Sequence, residues 1–140
     1  MRLLLRSILA IIAGFVAATI IMMAVESVNG RVFYPELARL AEGMTDREAI
    51  RSLLATAPTG ALLVVICGWA MGSFVGGWIA AWIGTRSPIA HSLVLGACLT
   101  LAGIANNLMI PPPLWFWIAG IVVFFPAVYA GGRSALARRG

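Results

Sequence analysis

Apolar positions in this chain run in long unbroken stretches rather than in alternation. Ser7–Val25, between Arg6 and Glu26, holds nineteen residues without Asp, Glu, Lys or Arg; Arg51 to Arg86 encloses thirty-four such residues and Arg86 to Arg133 forty-six. A helix crosses the hydrocarbon core of a bilayer with roughly 20 residues. The longest stretch therefore holds two spans. Pro111-Pro112-Pro113 marks the break, since proline ends a helix and forces the residue before it into extended geometry. The pattern predicts an all-α fold, a four-helix transmembrane bundle forming a single domain over residues 1–140. Its helices are expected at about 5–28, 60–83, 89–110 and 113–132, with a long loop at 29–59.

That loop has its own periodicity. Pro35 stands where a helix begins and Gly43 where one ends, with Leu37, Leu40 and Ala41 on one face between them. Thr45-Asp46-Arg47-Glu48 reads as a capping box, with Thr45 as the cap and Glu48 reaching back. Ala49, Ile50, Leu53, Leu54 and Ala57 follow at helical spacing until Pro58, while Arg47 and Arg51 share the polar side. Two short amphipathic helices are expected, lying on the outer membrane surface or over the mouth of the bundle. A lid or docking surface is the functional alternative for them.

Composition strengthens the membrane reading. The chain is 61% hydrophobic and 11% charged, against roughly 45–50% and about 25% in soluble domains. A soluble enzyme, a soluble nucleic-acid binder and a disordered tail are excluded. The net charge of +5 comes from ten basic residues, all arginine, and five acidic ones. Arg2 and Arg6 precede the first span, Arg86 lies between the middle two, and Arg133, Arg138 and Arg139 follow the last. The excess of positive charge on short cytoplasmic segments places both termini and the 84–88 turn in the cytoplasm, and the 29–59 loop and proline turn outside. The first span resembles a signal peptide superficially. Its apolar core is too long and lacks a small-residue cleavage site, so a retained signal anchor is expected.

Small residues recur every fourth position through the second span: Gly68, Gly72, Gly76, Ala80 and Gly84. In lipid, close backbone approach over such a stripe supplies contact energy between helices. The stripe is expected to serve as a helix-packing interface, either within the bundle or between copies. Ala10, Gly14 and Ala18, and Ser92, Gly96 and Thr100, make shorter counterparts. Trp78 and Trp82 suit the inner aromatic belt. Phe74–Ala80 is similar to Tyr129–Ala135, a likeness read as chance in Gly/Ala-rich sequence.

The Gly68-Trp69 … Gly76-Gly77-Trp78 run and the Asn106 … Pro111-Pro112-Pro113-Leu114-Trp115 turn resemble those of small four-helix bacterial inner-membrane proteins. The resemblance implies a four-span fold in the inner membrane and brings no activity with it. The small multidrug-resistance exporters are similar only in outline: their first-helix Glu lies deep in the membrane and their loops are short.

Ionisable residues within spans are costly, so each is a candidate site. Glu26 lies about 30 Å along the helix from Arg6, which puts it near the outer boundary. There its carboxylate opposes the helix dipole and requires a partner, for which Arg31 or the loop is available. Asn29, Tyr34, Asn106, Asn107 and Trp115 fall at the same level. With Glu26 they define a candidate polar site under the outer loop; capping and interfacial anchoring are the alternatives. His91 belongs to the opposite end. Cys67 and Cys98 read as apolar packing residues. No catalytic set, metal site or cofactor is expected.

The expected function is therefore non-enzymatic. A small integral membrane protein would act through helix packing, as a homo-oligomer or an accessory subunit of a membrane complex. The alternative is a small dimeric transporter or channel with its polar site around Glu26. The expected partners are the lipid bilayer, a second copy or other membrane subunits, and no nucleic acid.

Overall fold

The computed structural model describes residues 1–84 and 86–138, and among them the regular structure is entirely helical. The order is α1 (Arg2–Val28), a π turn (Asn29–Phe33), α2 (Pro35–Ala41), α3 (Arg47–Thr56), α4 (Thr59–Ile83), α5 (Pro88–Met109) and α6 (Leu114–Ala137). Four of these, with α1 extended through its π turn, are long and apolar enough to cross a membrane. Proline starts most of them. Pro35 and Pro88 occupy the first turns of α2 and α5, and Pro58 and Pro113 are the N-caps of α4 and α6. Its fixed φ suits a helix entry and its missing N–H would be unpaired there in any case.

Several ends differ from expectation. Helical winding continues past residue 28 as a π turn in which the Tyr34 N–H donates to Asn29 O at 2.8 Å. Helix α6 runs five residues beyond 132, because nothing in Arg133–Ala137 breaks it. Pro126 lies inside α6, a position that neighbouring helices and local adjustment make tolerable in a membrane helix. The capping box must also be corrected. The cap of α3 is Asp46, not Thr45: its Oδ2 accepts from Ala49 N at 2.8 Å. The carboxylate one residue later reaches the third helical amide and adds a negative charge at the positive end of the dipole. Gly43 takes φ +76° just past α2, as expected for a C′ glycine.

The long helices alternate in direction. Helices α1 and α5 run from the termini end of the bundle to the loop end; α4 and α6 run back. Helix α4 lies between α1 and α6, and α5 packs on α4, α6 and the early part of α1. The small-residue stripe decides the first contact. A Cβ on Gly72 would stand 2.6 Å from Ala18 O, one on Gly76 2.6 Å from Gly14 O, and one on Gly14 2.7 Å from Gly76 O. Gly68 faces Val25, and the buried Ala80 lies against Gly14. Most of the stripe is therefore covered by α1 of the same chain. Gly84, at its end, faces His91 instead.

The other side of α4 makes a second close crossing. A Cβ on Gly77 would run into the backbone of Val128, and one on Gly131 into the backbone of Phe74 and Trp78. The two Gly-Gly segments that look alike in the sequence thus meet each other. Ser92 on α5 donates to Gly77 O at 2.8 Å and ties the third helix to the same point. Above this crossing, Trp69, Leu95, Leu99, Phe116, Phe124 and Val128 form the core. Leu5, Ile8, Leu9, Ile12, Val16, Ile20 and Met23 on α1 stay exposed, an apolar surface that a bilayer would cover.

Candidate functional site

At the loop end, polar side chains that include two of the buried polar residues, Asn29 and Asn107, form two separate groups. The first is built by the end of α1 and the start of α4. Asn29 turns inward from the π turn and donates through Nδ2 to Ala61 O at 3.0 Å. Its Oδ1 is buried without a partner. The Tyr34 hydroxyl lies directly over Gly60, where a Cβ would collide with it. These two side chains lock the π turn onto the first turn of α4.

Glu26 lies one turn earlier and accepts a hydrogen bond from Trp69 Nε1 at 3.2 Å. The sequence pointed to Arg31 or the loop as its partner; the structure supplies an indole N–H from the core. Trp69 is buried, stacked on Phe124 at 5.4 Å and edge-on to Phe116 at 5.2 Å. Its ring covers Gly120, where a Cβ would come within 2.5 Å. The carboxylate is otherwise exposed and opens into a recess of about 340 Å³ beside Arg31 and Gly30.

The second group lies between α3, α5 and α6. Asn107 on α5 is 1% exposed and its Nδ2 has no hydrogen-bond partner. An unpaired buried amide costs about 1–3 kcal/mol, enough to require an explanation. Asn107 lines a cavity of about 640 Å³. Asp46, Arg47, Glu48 and Arg51 from α3 contribute its charges, while Leu108, Leu114, Trp117 and two of the turn prolines contribute apolar walls. Leu54 near the end of α3 and Ala57, its C-cap, are partly buried against the core.

The six candidate residues are thus divided. Glu26, Asn29 and Tyr34 each reach α4 from the end of α1 and its π turn, at Trp69, Ala61 and Gly60 respectively, and Asn107 lies at the α3–α5–α6 corner. Asn106 and Trp115 are exposed; Trp115 makes an edge contact with Phe116 at 6.0 Å, and neither residue lines a cavity described here. Trp69, Arg47, Arg51 and Trp117 join these groups without having been singled out as site residues. The Arg47–Arg51 spacing was visible as one helix face, but what that face looks onto depends on how α3 folds back. Buried Ser73, whose Oγ has no partner, was equally hidden within the glycine-rich run.

At the termini end the charges are structural in form. Arg6 Nε donates to Ile83 O at 2.9 Å, placing a cation at the C-terminal end of α4. His91 Nδ1 lies 2.8 Å from Ser87 O, and Trp78 stacks on Trp82 at 5.1 Å. Among the described residues, no three His, Cys, Asp or Glu side chains come together as a metal site. Cys67 and Cys98 are unbridged, and neither is the core residue expected: Cys67 is exposed on α4 and Cys98 is half-buried.

The chain matches no known family model, and no curated protein or solved structure is detectably similar to it. The resemblance to small four-span inner-membrane proteins therefore rests on the motif residues alone.

Proposed function

We propose that this is a non-enzymatic multi-pass protein of the bacterial inner membrane, acting through helix packing as a homo-oligomer or an accessory subunit. Both termini and the 84–88 turn face the cytoplasm, and α2 and α3 lie over the outer end as amphipathic helices. The positions of Arg6, Arg86, Arg133 and Arg138, all at one end of the bundle, support this orientation. The observation that carries the packing reading is the apolar surface of α1, continuous from Leu5 to Met23, which a second helix can cover as well as lipid does. With most of the glycine stripe of α4 covered by α1, association belongs to such outward faces rather than to the stripe.

The test is the mass of the protein extracted in mild detergent. A multiple of the 14.8 kDa protomer, or a stoichiometric companion subunit, is the expected result. A bare monomer at all detergent concentrations would refute the reading.

The Trp69–Glu26 hydrogen bond supports a second reading, a small dimeric transporter or channel with a site under the outer loop. Glu26→Gln keeps the shape and removes the charge. In proteoliposomes it should abolish pH-dependent solute flux, and flux that keeps its pH dependence rules the idea out.

A further inference from the structure

The cavity beneath α3 divides into a charged side and an apolar side, as a site for an amphiphile must. We infer that it holds the headgroup of a phospholipid carrying a phosphate beside a primary ammonium. The inference rests on the membrane placement proposed above and not on any oligomer.

The donors come first. Arg47 makes no ion pair among the described residues, and Asn107, whose buried Nδ2 has no partner, lies in the wall of the cavity. A guanidinium on the rim of the cavity, with an amide side chain in its wall, suits the oxygens of a phosphate. Arg51 adds a second cation, only loosely engaged with Glu48 at 3.9 Å.

The acids then narrow the ligand. Asp46 and Glu48 line the same cavity, so its two cations are matched by two anions. An isolated, multiply charged anion would meet those carboxylates unfavourably. A ligand with its own cation satisfies both signs. Asp46 keeps one carboxylate oxygen free, since the bond to Ala49 N uses only Oδ2. A primary ammonium has three N–H donors for these acceptors. A quaternary ammonium needs a cage of aromatic faces, and Trp117 is the single ring here.

The apolar side accounts for the tail. Leu108 and Leu114 line the cavity and are also 56% and 74% exposed, so the wall continues onto the outer surface of the bundle. An acyl chain can leave along it. The volume of about 640 Å³ falls within the roughly 300–1,000 Å³ typical of ligand pockets.

Native mass spectrometry of the detergent-extracted full chain tests this directly. Dioleoyl phosphatidylethanolamine, phosphatidylglycerol and phosphatidylcholine are added at equal concentration, with soluble glycerophosphoethanolamine as a fourth arm. The ethanolamine lipid should be retained at least about tenfold over the others, the effect of one charge-assisted hydrogen bond. Arg47→Ala and Asn107→Leu should each remove that preference, while Arg31→Ala, in the other recess, should keep it. Arg47 is exposed, so its variant carries the test even if Asn107→Leu does not fold. Equal retention of the three lipids, or an unchanged preference in Arg47→Ala, overturns the proposal. Tight binding of the soluble ester overturns its lipid part. A chain that stays soluble without detergent overturns the membrane placement instead.

Discussion

Gly131→Val should prevent α4 and α6 from docking, and the variant should not accumulate as a folded protein. The new Cβ would meet backbone atoms of Phe74 and Trp78, with Trp78 N at 2.9 Å. Gly77 faces the backbone of Val128 in the same way, with Val128 Cα 2.7 Å from a would-be Cβ. No rotamer change relieves a clash with main chain, so the helices must separate. Overpacking typically costs about 1–3 kcal/mol, and a clash with main chain on both helices belongs at or above the top of that range. Separation also breaks the Ser92–Gly77 hydrogen bond and opens the core above it. In the proposed bilayer setting no hydrophobic force acts between helices, so little remains to offset that loss. Gly68→Ala is the contrasting variant, because its Cβ meets only the side chain of Val25, at 2.9 Å. It should fold with a modest loss. Yield after size-exclusion chromatography and thermal melting in detergent distinguish the two; equal melting points would show that the α4–α6 crossing is loose.

Trp69→Ala should give the next largest loss. The ring is buried, contacts Phe116 and Phe124, and covers Gly120. Truncating a buried Trp to Ala typically costs about 3–5 kcal/mol, which lowers the melting point by roughly 10 °C or more in a chain of this size. Trp69→Phe separates the two roles of the residue. It keeps most of the volume and removes the N–H that Glu26 accepts, so its cost should be near 1 kcal/mol, the net worth of one hydrogen bond. If Trp69→Phe destabilises as much as Trp69→Ala, the hydrogen bond to Glu26 rather than ring packing holds the loop end together.

These two predictions depend on different levels of information. The number of long helices and their turns followed from run length and proline position, because each span must satisfy its backbone within itself. The start at Pro35 was legible for the same reason, since proline acts on local geometry alone, whereas Pro58, read as the end of one helix, also begins the next. The α3 cap was missed by one residue. Thr45 and Asp46 are both competent caps, and only the path of the chain decides which one reaches Ala49 N. The glycine stripe was equally plain in the sequence. Its partner was not, since a stripe fits α1 of the same chain as well as another copy.

The candidate site was less legible. Asn106 and Asn107 are adjacent, yet one is exposed and the other is 1% exposed. A rotation of about 100° per residue separates them, and only packing shows which one faces inward. Trp69 lies among residues that look like membrane filler, and its role depends on Glu26, forty-three positions earlier.

By itself, then, the sequence determined what depends on one segment at a time: four long apolar helices, the loop between the first two, and the end of the bundle where each arginine falls. Tertiary structure decided what depends on two segments meeting. It chose α1 as the cover for most of the glycine stripe, Trp69 as the donor to Glu26, and the cavity beneath α3 as one that Arg47 and Asn107 both line. The division is physical. Hydropathy and backbone hydrogen bonding act within a single span, whereas steric fit and side-chain pairing require a second surface that the order of residues does not identify.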